Sequence, residues 1–199
     1  MSAKIKVIAN FYNRLILVYN PVLELLFKKG RKITADELNK KPCTVLEIGC
    51  NQGQLAIRLN NNVTYTGIDV ADKVIVRAIK TFSKNQNINF LTADGENNKF
   101  KDESFDIVTL LYVLSVSPNP NTLLSESWKL LKPGGKLLVV NHFSNAILFK
   151  ILDTLLKKFF YAGVNFYFPI SLINQSKGFN IVKQKKINFF WTYLELEKI

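Results

Sequence analysis

Residues 45–53 read VLEIGCNQG. A branched apolar run meets an acid, Glu47, and then two glycines, Gly49 and Gly53, bracket three small or polar residues. A short β-branched run closed by a glycine turn reads as a buried strand entering a sharp loop. Gly49 lets the backbone turn without a Cβ clash. Gly53 allows the next element to pack and a ligand to approach. Asn51 stands where a third glycine is common, and asparagine tolerates the left-handed region better than most residues.

Outward from this stretch the pattern alternates. The run CTVLEIG is the first strand and GQLAIRLNN (residues 53–61) a helix. TYTGIDV is a second strand, followed by a helix DKVIVRAIKTFSKN opened by Asp72. INFLTAD is a third strand and SFDIVTLLYVL a fourth. NPNTLLSESWKLLKPGG is a helix ended by Pro133-Gly134-Gly135, and KLLVVNHF is a fifth strand. Such alternation predicts parallel βαβ units with right-handed crossovers. Upstream, Ile8, Phe11, Tyr12, Leu15, Tyr19, Val22, Leu23 and Leu26 fall at helical spacing, divided at Asn20-Pro21, with Gly30 as the stop and a basic cluster of Lys28, Lys29, Arg31 and Lys32. Downstream, residues 145–160 form a very apolar helix, residues 170–177 a short one, and NIVKQKKINFFWTYLELEK two strands that pair antiparallel at the sheet edge.

The chain has 199 residues, 48% hydrophobic and 21% charged, which suits one domain with a sizeable core rather than a disordered segment. Its formal charge of +12 favours anionic partners; a chain merely rich in Lys and Asn is the other reading. Cys43 and Cys50 flank one strand, and seven extended residues span roughly 23 Å, too far for a disulfide. Residues 1–20 do not read as a signal peptide, because Asn10, Asn13 and Arg14 break the apolar stretch. No apolar run reaches the roughly 18 residues of a membrane span. The expected location is therefore cytoplasmic, with peripheral association at the inner membrane face.

In an open α/β sheet, ligands bind outside the carboxyl ends of the strands. Three acids tip successive strands there: Glu47, Asp69 and Asp94. An acid in the place of Asp69 can accept hydrogen bonds from ribose hydroxyls, and one in the place of Asp94 an exocyclic adenine amine. Glu47 is badly placed for a pyrophosphate and well placed for a cationic amino-acid end, which points to S-adenosyl-L-methionine rather than a dinucleotide.

VLEIGCNQGQLA, YTGIDV, FLTADGENNKF, SFDIVTLLYVLSV and LLSESWKLLKPGGKLLVV resemble, in order, the motifs of class I S-adenosylmethionine-dependent methyltransferases over residues 44–140. The resemblance implies an α/β Rossmann-like class I methyltransferase fold: a seven-stranded, mostly parallel sheet with an antiparallel C-terminal hairpin and an N-terminal helical cap. It divides one domain, residues 1–199, into a cap (1–40), a cofactor-binding core (41–142) and a substrate-side helix with the terminal hairpin (143–199). It implies S-adenosyl-L-methionine as cofactor, with Glu47, Gly49, Cys50, Gly53, Asp69, Val70, Asp94, Gly95 and Leu111 as candidate binding residues. Tyr112, past the fourth strand, would border the methyl-transfer site. No metal is implied.

Two further segments resemble bacterial phospholipid N-methyltransferases, which methylate phosphatidylethanolamine: YNRLILVYNPVLELLFKKGRK, and NHFSN with the apolar helix, the FYFPI stretch and GFNIVKQKK after it. This implies a phospholipid acceptor at an anionic membrane surface, with Tyr19, His142 and Tyr112 as the candidate catalytic residues and Arg31 and Lys32 as phosphate ligands. A soluble small molecule, such as a quinone precursor, is the alternative acceptor. Nucleic acid is not expected, because no Asn-Pro-Pro-aromatic signature is present. For several features a structural reading stands beside the functional one. The helix over residues 3–28 either caps the core or lies in a bilayer interface. His142 is either a headgroup ligand or a hydrogen-bonding residue of the frame. The Lys183, Lys185, Lys186 run reads as a solvated strand face, Trp128 and Trp191 as packing residues, and Asp106, at the far end of its strand, as structural.

Overall fold

The computed structural model describes residues 2–15, 21–144, 168–174 and 178–199. Seven strands form one sheet: β1 Cys43–Ile48, β2 Val63–Asp69, β3 Ile88–Thr92, β4 Phe105–Leu111, β5 Leu131–His142, β6 Phe179–Lys186 and β7 Trp191–Lys198. Their spatial order is β3-β2-β1-β4-β5-β7-β6. β1 to β5 pair in parallel, and β7 runs antiparallel between β5 and β6. The expected mostly parallel sheet with a reversed terminal hairpin is therefore present.

The central strands are apolar on both sides because both faces are covered. Along β5, Leu138 and Val140 join one core with Val45, Tyr65, Val74, Ala78 and Leu38. Leu137 and Val139 join the other with Leu46, Ile68, Val108, Leu123 and Leu130. The period-two alternation of a strand sorts neighbouring residues into opposite layers. Helices α3 (Asp72–Thr81) and α4 (Pro120–Leu130) cover one face each. α1 (Ala3–Leu15), α2 (Pro21–Leu38) and the short α5 (Ser171–Asn174) complete the described helices. None of them is long and apolar enough to cross a membrane.

Three elements differ from the sequence reading. α2 does not stop at Gly30 but continues to Leu38, because Gly30 serves close approach rather than termination: a Cβ there would strike the Tyr112 hydroxyl and Val140. The helix expected over residues 53–61 is a single 3-10 turn, Ala56–Arg58. The Asn39 amide donates to the Arg58 carbonyl at 2.9 Å, and its oxygen accepts from the Asn60 N–H at 2.8 Å, drawing the chain out into β2. α4 ends at Leu130, and β5 takes up the Pro133-Gly134-Gly135 segment as an irregularity in its register with β4. The apolar helix expected over residues 145–160 lies outside the described residues, as do the last residues of the 170–177 segment.

Asp106 is structural, as expected. It accepts from the Thr44 N–H (2.8 Å), the Thr44 hydroxyl (2.7 Å) and Lys132 (2.8 Å) at the amino ends of the strands. Trp128 donates to the Gly178 carbonyl at 2.9 Å and lies beneath the Lys198 ammonium. Both cysteines are free and buried.

Candidate functional site

The loop after β1 is shaped by three left-handed residues in alternation: Gly49 (φ +79°), Asn51 (φ +50°) and Gly53 (φ +78°). Asparagine thus fills the place of a glycine as its tolerance allows. The N–H groups of Gly49 and Cys50 both donate to the Ile68 carbonyl, at 2.8 and 3.0 Å, so the loop stays clamped to β2 as it turns. Asp69, ending β2, completes the clamp. One of its oxygens accepts from the Asn51 N–H and the other from the Ala71 N–H, each at 3.0 Å. A carboxylate has about four acceptor sites, so this bracing leaves acceptor capacity free for a ligand. Burial pushes the Asp69 carboxyl up, while backbone N–H groups of Ala71, Asn51 and Val70 oppose the shift.

Glu47 is 3% exposed and has no ion-pair partner at bonding distance among the described residues. The buried Tyr65 hydroxyl donates to it. Burial raises the Glu47 carboxyl to about 7, against the hydrogen bond from Tyr65 and the more distant field of Arg31. A carboxyl held in this way ionises readily when a cation arrives and resists ionisation when none is there. Nothing in the sequence singles out Tyr65, because only the register of β1 on β2 brings it to Glu47. Glu47 pairs with Gly67 on the neighbouring strand, so Tyr65, two residues earlier, projects on the same face.

These groups face a cavity of about 230 Å³ at the carboxyl end of the parallel strands. Of the candidate residues, Glu47, Gly49, Cys50, Asp69, Val70, Asp94, Gly95, Leu111 and Tyr112 line it together. Gly53 does not. Its Cβ position is filled by the Phe82 and Phe90 rings, so it serves packing beneath the loop. His142 is not in the lining either. It pairs across the sheet with Trp191, and the two rings lie 6.0 Å apart. Tyr19 lies outside the described residues. Lys32 is exposed and paired with Asp36 at 2.8 Å, away from the cavity.

One wall is held by Glu96. It accepts from the Ser117 hydroxyl (2.6 Å), the Asn119 N–H (3.0 Å) and the Asn119 amide (2.8 Å), which joins the loop after β3 to the loop after β4. Beside it, Gly95 lets the chain pass close to Ile48 and Leu123, where a Cβ would collide. The roof comes from the N-terminal helices. Ile5, Ile8, Phe11 and Tyr12 recur at helical spacing on the cavity face of α1. Asn13 fastens this helix to α3: its amide donates to Asp72 at 2.7 Å and its oxygen accepts from the Lys73 N–H at 3.1 Å. From α2 come Phe27 and Arg31.

Arg31 of the basic cluster is only 6% exposed and bonds Glu24, two turns earlier on the same helix face. Glu24 also holds Arg58 at 2.8 Å, which ties α2 to the loop below. Tyr112 adopts φ +64° and donates its hydroxyl to the Phe27 carbonyl at 2.9 Å. Its ring stacks on Phe27 and Trp191, at 4.4 and 4.8 Å. Trp191, read from sequence as core or edge packing, packs on the core and stands behind this aromatic wall.

The methyltransferase-domain family matches residues 46–139. A phosphatidylethanolamine N-methyltransferase of Cereibacter sphaeroides is 30% identical over 117 residues, 57% of this chain and 58% of that protein. Residues 46–139 thus form a methyltransferase domain. A ubiquinone biosynthesis O-methyltransferase of Coxiella burnetii is 30% identical over 134 residues, 65% of this chain and 57% of that protein. The chain thus spans less than two thirds of the length of either curated relative. A S-adenosylmethionine-dependent methyltransferase structure from Aquifex aeolicus superposes with a TM-score of 0.71 at 14% identity, over 94% of this chain and 98% of that one.

The methyltransferase cofactor, S-adenosyl-L-methionine, fits the groups present. Four carboxylates, Glu47, Asp69, Asp94 and Glu96, face one cavity, and the buried Asn51 side-chain oxygen at its wall has no hydrogen-bond partner among the described residues. Such an orphan acceptor is costly unless a ligand satisfies it, and the cofactor's ammonium is a donor. Glu47, Asn51, Asp69, Asp94 and Gly95 all line this one cavity.

Proposed function

We propose that this chain is a methyltransferase acting on the primary amine of phosphatidylethanolamine at a membrane surface on the cytoplasmic side. The carrying observation is the acceptor side of the cavity, where Phe11, Tyr12, Phe27 and Tyr112 form an aromatic wall and Arg31 is the one cation among the described lining residues. The similarity to a phosphatidylethanolamine N-methyltransferase supports the reading.

Bound S-adenosyl-L-methionine supplies an electrophilic methyl group on a sulfonium. The protein contributes alignment and the exclusion of water. Glu47, relayed to Tyr65, holds the cationic end of the cofactor, and the Asp69 oxygens left after bracing the two loops take the ribose hydroxyls. An alkylammonium has a pKa near about 10, so the acceptor amine must lose a proton before it can attack. The aromatic wall promotes this by desolvation, which favours the neutral amine. Tyr112, its hydroxyl committed to the Phe27 carbonyl, positions α2 against the cavity. Tyr19 and His142 orient the headgroup in this proposal, His142 through Trp191, and Arg31 faces the phosphate.

The test is incubation with methyl-labelled cofactor and phosphatidylethanolamine vesicles, followed by lipid extraction. Label in the mono- or dimethylated lipid is the expected result; label in the lipid phase only when a phenolic quinone precursor is supplied would favour the second reading. That second reading, a small-molecule or quinone-precursor methyltransferase, draws on the ubiquinone O-methyltransferase similarity and on the same aromatic wall.

A further inference from the structure

The turn between β6 and β7 carries two phenylalanines where hairpin turns usually carry glycine, asparagine or aspartate. Phe189 is 80% exposed and Phe190 60%. Their rings meet edge to face, 5.2 Å apart at 87°. This is a built feature rather than a loose loop. The Asn188 side-chain oxygen accepts from the N–H groups of Phe190 (2.9 Å) and Trp191 (2.8 Å), and the Trp191 carbonyl accepts from the Ile187 N–H at 2.9 Å. Ile187 and Trp191 pack inward on the core and so anchor the base, while the two phenylalanines project from the tip. Just behind them Lys185 and Lys186 are exposed and, among the described residues, form no ion pair.

The tip lies at the rim of the cofactor cavity. β7 is antiparallel to β5 and begins with Trp191 opposite His142, the last residue of β5. The turn therefore emerges at the carboxyl ends of the parallel strands. α2 brings a second patch of the same composition to that rim. Phe27 lies 5.5 Å from Trp191, and around it Leu25 is 73% exposed, Leu26 50%, with Lys28 and Lys29 also exposed.

We propose that the β6–β7 tip, with the Leu25–Lys29 stretch of α2, is a docking surface for an anionic lipid bilayer. Exposed aromatic rings seek the boundary between headgroups and acyl chains, and lysines behind them meet anionic headgroups. The charge balance of +12 gives the complementary field. Docked in this way, the cavity mouth faces the bilayer, and a headgroup reaches the site without its lipid leaving the membrane. The purpose of the surface rests on the lipid-acceptor reading; the docking itself does not.

The test is flotation of the full chain with vesicles of phosphatidylcholine and phosphatidylglycerol at low salt, beside vesicles of phosphatidylcholine alone. The intact protein floats with the anionic vesicles. Phe189→Ser with Phe190→Ser weakens binding by more than about tenfold, because burial of even one such ring is worth roughly that much, with cofactor-analogue binding unchanged. Lys185→Gln with Lys186→Gln weakens it on anionic vesicles only. Phe189→Trp, which keeps an aromatic at the tip, shifts its emission to the blue on anionic vesicles and is quenched by brominated lipid. Wild-type flotation by the double serine variant overturns the inference, as does a tip tryptophan whose emission ignores vesicles. So does a serine variant altered only in self-association, which would make the tip a contact between two copies. Methylation of phosphatidylethanolamine in detergent micelles reads the acceptor chemistry without docking. Flotation lost through the tip with no lipid methylated under any condition refutes the acceptor and leaves the docking; lipid methylated with flotation indifferent to the tip does the reverse.

Discussion

Replacing Glu47 by glutamine should make the empty protein more stable near pH 8 and a poorer binder of its cofactor. The Glu47 carboxyl sits at about 7 in the fold, against an ordinary value of 4.5. Its folded value is raised, so the folded state favours the protonated form. The stability this provides is complete below the ordinary value and is lost as pH climbs from there through about 7. A difference of roughly 2.5 units at about 1.36 kcal/mol each gives an upper bound of ~3 kcal/mol withdrawn between about pH 4 and pH 8. Glutamine keeps an acceptor for Tyr65 and carries no charge to desolvate. For a chain of this size about 1 kcal/mol moves the midpoint by about 2–4 °C, so near pH 8 the variant should melt up to about 6–12 °C above wild type and converge with it near pH 4. Calorimetric titration with S-adenosylhomocysteine supplies the other half. The variant should lose roughly 1–3 kcal/mol of binding, the value of a hydrogen bond to a charged group. Wild-type affinity should also rise with pH up to about 7, as the carboxyl ionises without help. Parallel melting curves for the two proteins across this range would refute the reasoning, because they would mean Glu47 is not held protonated.

Three further outcomes follow from the same structure. Gly30→Ala drives a methyl group into the Tyr112 hydroxyl and Val140; overpacking of this kind costs about 1–3 kcal/mol, read as a lower denaturant midpoint. Asp69→Ala should weaken S-adenosylhomocysteine by roughly 1–3 kcal/mol in calorimetry, an upper share coming from release of the loop that its Asn51 bond braces. Asp106 is held down at about 2: burial opposes this, but hydrogen bonds from Lys132 and Thr44 prevail. Its contribution is present above the ordinary range and lost as pH falls from about 4 to about 2. Because the pair is two-fifths exposed, Asp106→Asn should remove no more than about 1 kcal/mol at neutral pH, seen as a flatter acid arm of the stability profile.

The strands and their acids were legible because each is a local statement. Val45 to Ile48 is a branched run ended by glycine, and the same grammar recurs at Asp69 and Asp94. What escaped was set by residues distant in the chain. Gly30 reads as a helix stop until Tyr112 is placed against it. Residues 53–61 read as a helix until Asn39 takes the Arg58 carbonyl. Arg31 reads as one of four clustered cations and a phosphate ligand, yet Glu24 lies two turns before it on one face, a pairing visible in the spacing. The Tyr65–Glu47 bond needed the register of β1 on β2, which no single segment encodes. Trp191 reads as packing and does pack on the core, but its place opposite His142 and against Phe27 needed β7 inserted between β5 and β6.

S-adenosyl-L-methionine should occupy the cavity bounded by Glu47, Asp69 and Asp94. A crystal structure of the chain soaked with S-adenosylhomocysteine tests it most directly. The account predicts the ammonium beside Glu47 and the Asn51 oxygen, the ribose hydroxyls on Asp69, and the adenine against Asp94 and Gly95. Ligand density outside this cavity, or a ribose turned away from Asp69, would contradict it.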